Sequence, residues 1–193
     1  MKKIISRNSI SYGLGFVACT AIAGAIASVN SQPVGAISAI SSPNQSVKSQ
    51  TLARANWQRY NSSTYRVSFQ YPRNWKQVKD QPERFRGSDG SFLVSAMSTP
   101  SLQEGCRSLA NHRLLPYGSK PKIQNLKIQG QSACLILPSA DQTPEQKGES
   151  TLIVRYPKPV RVGSGTYSYF MLYADKQHIV EIAKTLKLTT SAR

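Results

Sequence analysis

Histidine is scarce in this chain, and no Gly-x-Ser-x-Gly nucleophile motif occurs among its 193 residues. A Ser-His-Asp triad needs a histidine beside a nucleophile and an acid, and neither His112 nor His178 lies in such a context. The histidines and cysteines also lack the ligand spacing of a zinc site. We therefore predict a protein without catalytic activity, metal or cofactor. The alternative is a hydrolase acting on envelope material, with one of the two histidines in its site.

Cysteine is also rare, with three residues in the whole chain. Cys19 lies in the N-terminal segment, which leaves Cys106 and Cys134 as an even pair. In an oxidising compartment such a pair favours a disulfide, and the alternative is two buried free thiols. A disulfide would close a loop of about 28 residues and contribute roughly 3 to 4 kcal/mol on the chain-entropy model.

Charge is missing from a long N-terminal stretch, since no charged residue occurs between Arg7 and Lys48. Lys2 and Lys3 precede an apolar run at residues 10–29, which is the pattern of a secretory signal. We predict that residues 1–36 are a signal peptide or an N-terminal membrane anchor formed by residues 10–29. Cleavage after residue 27 or residue 36, an uncleaved anchor and a lipoprotein signal at Cys19 remain alternatives. In each case the rest of the chain is exported.

The remainder divides by composition into a linker, one domain and a short tail. Residues 37–56 are rich in Ser, Asn and Gln, which is typical of a flexible linker. Residues 57–188 have the length of a single domain with one core, and residues 189–193 form a tail.

Hydrophobic periodicity within the domain predicts an α+β fold. Strands are expected at 65–71, 91–97, 123–129, 132–137, 151–156 and 166–174, with a short additional strand at 76–79. Ser101 and Glu104 have capping-box spacing and predict a helix that ends before Pro116. A second helix is expected at 175–186, with Asp175 as its N-cap. We therefore predict an antiparallel sheet of about six strands with two main helices packed against it.

Acidic residues are outnumbered throughout the chain. Residues 37–193 hold 22 Lys or Arg residues and nine Asp or Glu residues, a formal net charge of +13. Such a surface attracts an acidic protein face or a membrane face, whereas nucleic acid is not expected of an exported domain without a nucleic-acid-binding motif. Seven residues are candidates for this basic binding surface: Arg84, Arg86, Lys120, Lys122, Arg155, Lys158 and Arg161.

One segment resembles a known family. Residues 65–75 read YRVSFQYPRNW, which resembles the opening Y-x-F-x-x-P-x-x-W motif of PsbP-like proteins. Those proteins are extrinsic lumenal proteins associated with photosystem II. The resemblance implies their α/β/α sandwich and a non-enzymatic accessory or binding role in a thylakoid lumen or periplasm. An extracellular location and a membrane-tethered structural role remain alternatives.

Overall fold

The structure, a computed structural model, describes residues 56–189. The predicted signal or anchor at 1–36, the linker up to residue 55 and the tail beyond Thr189 lie outside the described residues. Within residues 56–189, no helix is long and apolar enough to cross a membrane.

Ten strands and two helices form the described domain. In chain order they are β1 (Trp57–Ser62), β2 (Val67–Pro72), β3 (Lys76–Val78), β4 (Gln81–Arg86), β5 (Ser91–Met97), α1 (Leu102–Ala110), β6 (Lys122–Ile128), β7 (Gln131–Leu137), β8 (Glu149–Val162), β9 (Gly165–Asp175), α2 (Ile179–Thr185) and β10 (Lys187–Leu188). A short 3₁₀ helix at Pro144–Gln146 lies in the connection between β7 and β8.

The strands form two antiparallel sheets rather than one. Three strands pair in the order β1-β2-β10, and seven pair in the order β3-β4-β5-β9-β8-β7-β6. The predicted α+β class is confirmed, but the prediction of a single sheet of about six strands was wrong. The prediction omitted β1, β4 and β10. Their sequences are short or polar and show no clear alternation of apolar and polar residues, and pairing with a neighbouring strand stabilises them.

The seven-stranded sheet has a hydrophobic cluster on each face. On one face, α1 packs over β6, β7 and β8 in a cluster that includes Cys134, Ile136 and Ile153. On the other face, a second cluster includes Phe92, Phe170 and residues of α2 and of the three-stranded sheet. Each face of the large sheet is therefore covered by one helix, and one face carries the small sheet as well.

The first helix and its attachment agree with the sequence prediction. The Ser101 side chain caps α1 by accepting a hydrogen bond from the backbone N–H of Glu104 at 3.1 Å. Cys106 of α1 pairs with Cys134 of β7 in a disulfide, and their Cα atoms are 6.6 Å apart. Both cysteines are buried, so the disulfide joins the helix to the buried face of β7, the strand next to the sheet edge.

The second helix begins later than predicted. Asp175 is the last residue of β9, and His178 occupies the N-cap position of α2. The Asp175 carboxylate accepts hydrogen bonds from the backbone N–H groups of Gln177 and His178, each at 3.1 Å. The prediction that Asp175 caps the helix was wrong, because its side chain instead stabilises the turn between strand and helix.

Candidate docking surfaces

The strand order separates the seven predicted basic residues into three groups. Arg84 and Arg86 lie on β4, whereas Lys120 and Lys122 lie before and at the start of β6. Five strand spacings, about 24 Å, separate β4 from β6 in the sheet. The remaining three residues lie on β8. The sheet therefore does not bring the seven residues together into one surface.

Arg84 and Arg86 lie at a cleft of about 290 Å³ beside β5. Arg84 pairs in register with Leu93, and Arg86 with Ser91. Burial raises the pKa of the Glu149 carboxyl, and the positive charge of Arg84 partly opposes this. The charged residues that line the cleft are Arg84, Arg86, Lys147, Glu145, Glu149 and Asp175. Three cations and three carboxylates give this cleft no excess of positive charge, so it is a poor docking site for an acidic partner.

Lys120 lies beside a carboxylate that stays ionised. Its backbone N–H donates to the Ser139 hydroxyl at 3.2 Å, and that hydroxyl is hydrogen-bonded to Asp141. The backbone N–H of Ser119 also donates to the Asp141 carboxylate, at 3.1 Å. The hydrogen bonds from Ser119 and Ser139 lower the pKa of Asp141 to about 2. The negative charge of Asp141 at neutral pH therefore offsets part of the positive charge here.

The third group lies on β8. Arg155, Lys158 and Arg161 are all exposed, and no ion pair joins any of them to a carboxylate within residues 56–189. Pro157 and Pro159 lie within the register shift between Arg155 and Val160, where the ladder with β9 is interrupted. Proline is tolerated at such a bulge because no ladder hydrogen bond is required there.

A fourth cation joins this group through the strand register. Lys127 of β6 pairs with Ser132, and the pairing of Ala133 with Val154 places Ser132 beside Arg155. Lys127 and Arg155 are therefore about 10 Å apart on one face of the sheet. The sequence analysis missed Lys127, because it reads as an ordinary polar residue of an alternating strand. We call Lys127, Arg155, Lys158 and Arg161 the β8 basic surface.

His178 lies between two carboxylates. Its Nδ1 is 2.8 Å from Asp175 Oδ1, and its Nε2 is 3.9 Å from Asp89 Oδ2. Its ring also contacts Trp75, with ring centroids 5.0 Å apart. These contacts join the β4–β5 turn to the start of α2, which is a structural arrangement. They include no serine, threonine or cysteine that His178 could activate.

The other residues considered for catalysis or metal binding have different environments. His112 is exposed, and its Nδ1 accepts a hydrogen bond from the backbone N–H of Leu114 at 3.3 Å. The disulfide leaves neither Cys106 nor Cys134 as a free thiolate for nucleophilic attack or zinc ligation.

No protein-family model and no curated protein matches the chain. Among solved structures, it is similar to the solution structure of cyanobacterial PsbP (CyanoP) from Synechocystis sp. PCC 6803, at 14% identity and a TM-score of 0.37. That match covers 69% of this chain and 93% of the other. A crystal structure from Bacteroides thetaiotaomicron VPI-5482 matches at 11% identity and a TM-score of 0.41, over 72% of this chain and 50% of that one. At these TM-scores the likenesses are weak and assign neither family nor activity.

Proposed function

We propose that the chain is an exported, non-catalytic binding domain that docks through the β8 basic surface onto an acidic face of a partner protein. The observation that carries the proposal is the set of four cations at one end of the sheet without an ion-paired carboxylate. Unpaired surface cations steer an acidic partner and set its orientation. Lys158 lies within the register shift and Arg161 follows it, and both side chains are exposed.

The charge of the whole domain supports this proposal. Residues 56–189 contain 19 Lys or Arg residues and nine Asp or Glu residues. Among these residues, Lys184 and Glu181 form the one ion pair between a Lys or Arg side chain and a carboxylate. A domain with this excess of unpaired cations attracts acidic surfaces over distances of about a Debye length, roughly 8 Å at physiological salt.

The resemblance of residues 65–75 to PsbP-like proteins supports an accessory role. Association with a photosynthetic membrane is the finer part of the proposal. The test is a capture experiment in which the full chain is incubated with thylakoid membranes. Photosystem II proteins among the captured proteins would support that part. Their absence from the proteins that bind the chain and are released by salt would contradict it.

Matched charge reversals test the docking surface. The probe is poly-L-glutamate, an acidic polypeptide, and the test variant of the full chain is Arg155→Glu/Lys158→Glu/Arg161→Glu. The control is Arg73→Glu/Lys76→Glu/Lys79→Glu, which changes the net charge equally at three other exposed positions. We expect the test variant to lose about tenfold more affinity than the control, because only it reverses the docking surface. Equal losses would contradict the proposal.

A further inference from the structure

The connection between α1 and β6 exposes two adjacent leucines. Leu114 is 67% exposed and Leu115 is 46% exposed, although large apolar side chains are usually buried in a domain of this size. Two exposed leucines in succession on a loop between basic residues are a candidate contact with an apolar phase.

Backbone hydrogen bonds hold the leucines in place. The N–H of Leu115 donates to the carbonyl of His112 at 2.7 Å, and the N–H of Gly118 donates to the carbonyl of Leu115 at 2.8 Å. Leu115 has a φ of 47°, which is unfavourable for leucine. The loop is thus a formed turn that presents both side chains outward.

The residues that follow fix this turn to the core. The Gln142 side-chain amide donates to the carbonyl of Pro116 at 2.8 Å. Tyr117 is buried, and its hydroxyl lies 2.6 Å from the Thr151 hydroxyl. These contacts attach the residues after the leucines to the buried part of the domain. We call residues 112–115 the leucine tip.

Basic residues precede and follow the two leucines in the sequence. Arg113 is part of the leucine tip, Arg107 lies in the last turn of α1, Lys120 follows in the same connection, and Lys122 is the first residue of β6. Asp141 is the carboxylate bonded to this connection, through Ser119. Four cations and one carboxylate in the segments that flank the exposed leucines match the composition that binds the interface of an anionic bilayer.

The described chain begins at the same end of the domain. Asn56 and Asp89 line one cleft, and Asp89 and Gln142 line a second. The Gln142 side chain is hydrogen-bonded to Pro116 at the base of the leucine tip. The described residues therefore begin at the end that carries the tip, and the segment predicted to target a membrane, residues 10–29, precedes them in the sequence. The strands β8 and β9 run antiparallel, with Glu149 paired with Asp175 at one end and Arg161 paired with Thr166 at the other. The β8 basic surface therefore lies toward the end opposite the tip.

We propose that the leucine tip docks onto the surface of a bilayer that contains anionic lipids. Leu114 and Leu115 enter the interface between headgroups and acyl chains, and Arg107, Arg113, Lys120 and Lys122 contact the lipid phosphates. Docking in this way directs the β8 basic surface away from the membrane. The leucine tip and the β8 basic surface are separate surfaces of the domain.

A fluorescent label at the tip tests this proposal. In the full chain with Cys19→Ala, Leu114→Cys carries a polarity-sensitive fluorophore, attached without reductant so that Cys106 and Cys134 stay paired. The control label is at Val180→Cys, a residue of α2 that is 41% exposed. The probes are vesicles of phosphatidylcholine with or without phosphatidylglycerol, carrying a spin-labelled lipid as quencher.

We expect quenching and a blue shift for the label at residue 114 on vesicles with phosphatidylglycerol, several-fold stronger than for the label at residue 180. Equal quenching at the two positions would overturn the proposal. Quenching at residue 114 that is as strong on phosphatidylcholine alone would also overturn it, because the basic residues would then have no role.

Charge variants of the labelled chain provide a second measurement. Arg113→Glu/Lys120→Glu is expected to weaken vesicle binding about tenfold. Lys158→Glu/Arg161→Glu, with the same charge change at the opposite end, is expected to change it by less than about threefold. Equal weakening would overturn the proposal, since net charge alone would then explain binding. Because poly-L-glutamate binding is measured separately, failure here leaves the β8 basic surface unaffected.

Discussion

The indole N–H of Trp75 donates a 2.7 Å hydrogen bond to the carboxylate of Asp89. Trp75 is fully buried, whereas Asp89 lies in the exposed turn between β4 and β5. The Asp89 carboxylate also accepts a hydrogen bond from the Asn74 side chain at 2.9 Å and faces His178. The turn, the connection between β2 and β3, and the start of α2 are therefore joined at a single carboxylate.

Replacement of that carboxylate should destabilise the domain. Asp89→Ala leaves the indole N–H of Trp75 without its acceptor, so we expect a loss of about 1 to 3 kcal/mol in the free energy of unfolding. Urea denaturation measures this loss, and Glu145→Ala, which removes an exposed carboxylate, is the control with a change below about 0.5 kcal/mol. An Asp89→Ala variant as stable as its control would contradict the role assigned to this carboxylate.

Acidification should weaken the fold through two carboxylates. The hydrogen bond from Trp75 lowers the pKa of Asp89, and the hydrogen bonds from Ser119 and Ser139 lower the pKa of Asp141 to about 2. Both groups bind fewer protons when folded, so their contribution is complete above the unfolded pKa of about 3.9 and is lost as pH falls through the folded values.

The measurement for this prediction is a series of urea midpoints between about pH 5 and pH 2. The Asp89→Asn/Asp141→Asn variant should lose less stability over this range than the parent chain. Parallel curves for the two proteins would contradict the assignment. Glu149 acts with the opposite sign, because burial raises the pKa of its carboxyl and protonation therefore favours the folded state.

Loss of the disulfide should cost about 3 to 4 kcal/mol, because it releases the closed loop in the unfolded chain. Urea denaturation with and without reductant measures the change, and Cys106→Ala/Cys134→Ala is the control on which reductant should have no effect. A thiol count on the denatured, unreduced Cys19→Ala chain should find none. Two free thiols would contradict the pairing.

The hydrogen bond between Tyr117 and Thr151 offers a matched test of the base of the leucine tip. Tyr117→Phe leaves the buried Thr151 hydroxyl without its partner and should lower the free energy of unfolding by about 1 to 2 kcal/mol. Tyr169→Phe is the control, because Tyr169 is buried in the same cluster and none of the hydrogen bonds described here involves its hydroxyl. An equal effect of the two substitutions on the urea midpoint would contradict this role.

Local patterns were sufficient to predict the parts of the fold that carry strong periodicity. The spacing of Ser101 and Glu104 located the start of α1, and the expectation of export, with an even cysteine pair, led to the disulfide between Cys106 and Cys134. The strands β1 and β4 were missed because their sequences, WQRYNS and QPERFR, are polar, and their neighbours in the sheet supply the pairing.

The candidate surface could be predicted only in part. The excess of Lys and Arg predicted a basic docking surface. Composition could not show that Arg84 lies among carboxylates or that Lys127 lies near Arg155. Those relationships depend on strand order and register, which join residues far apart in the chain. The exposure of Leu114 and Leu115 likewise depends on the turn they form, since adjacent leucines in a sequence usually indicate core.

The most direct test of docking through the β8 basic surface is the salt dependence of poly-L-glutamate binding. The Kd of the full chain should rise steeply between low and physiological salt, because the contact is between exposed charges. The Arg155→Glu/Lys158→Glu/Arg161→Glu variant should bind more weakly and show a shallower rise than the Arg73→Glu/Lys76→Glu/Lys79→Glu control. A Kd that does not change with salt, or identical slopes for the two variants, would contradict the account.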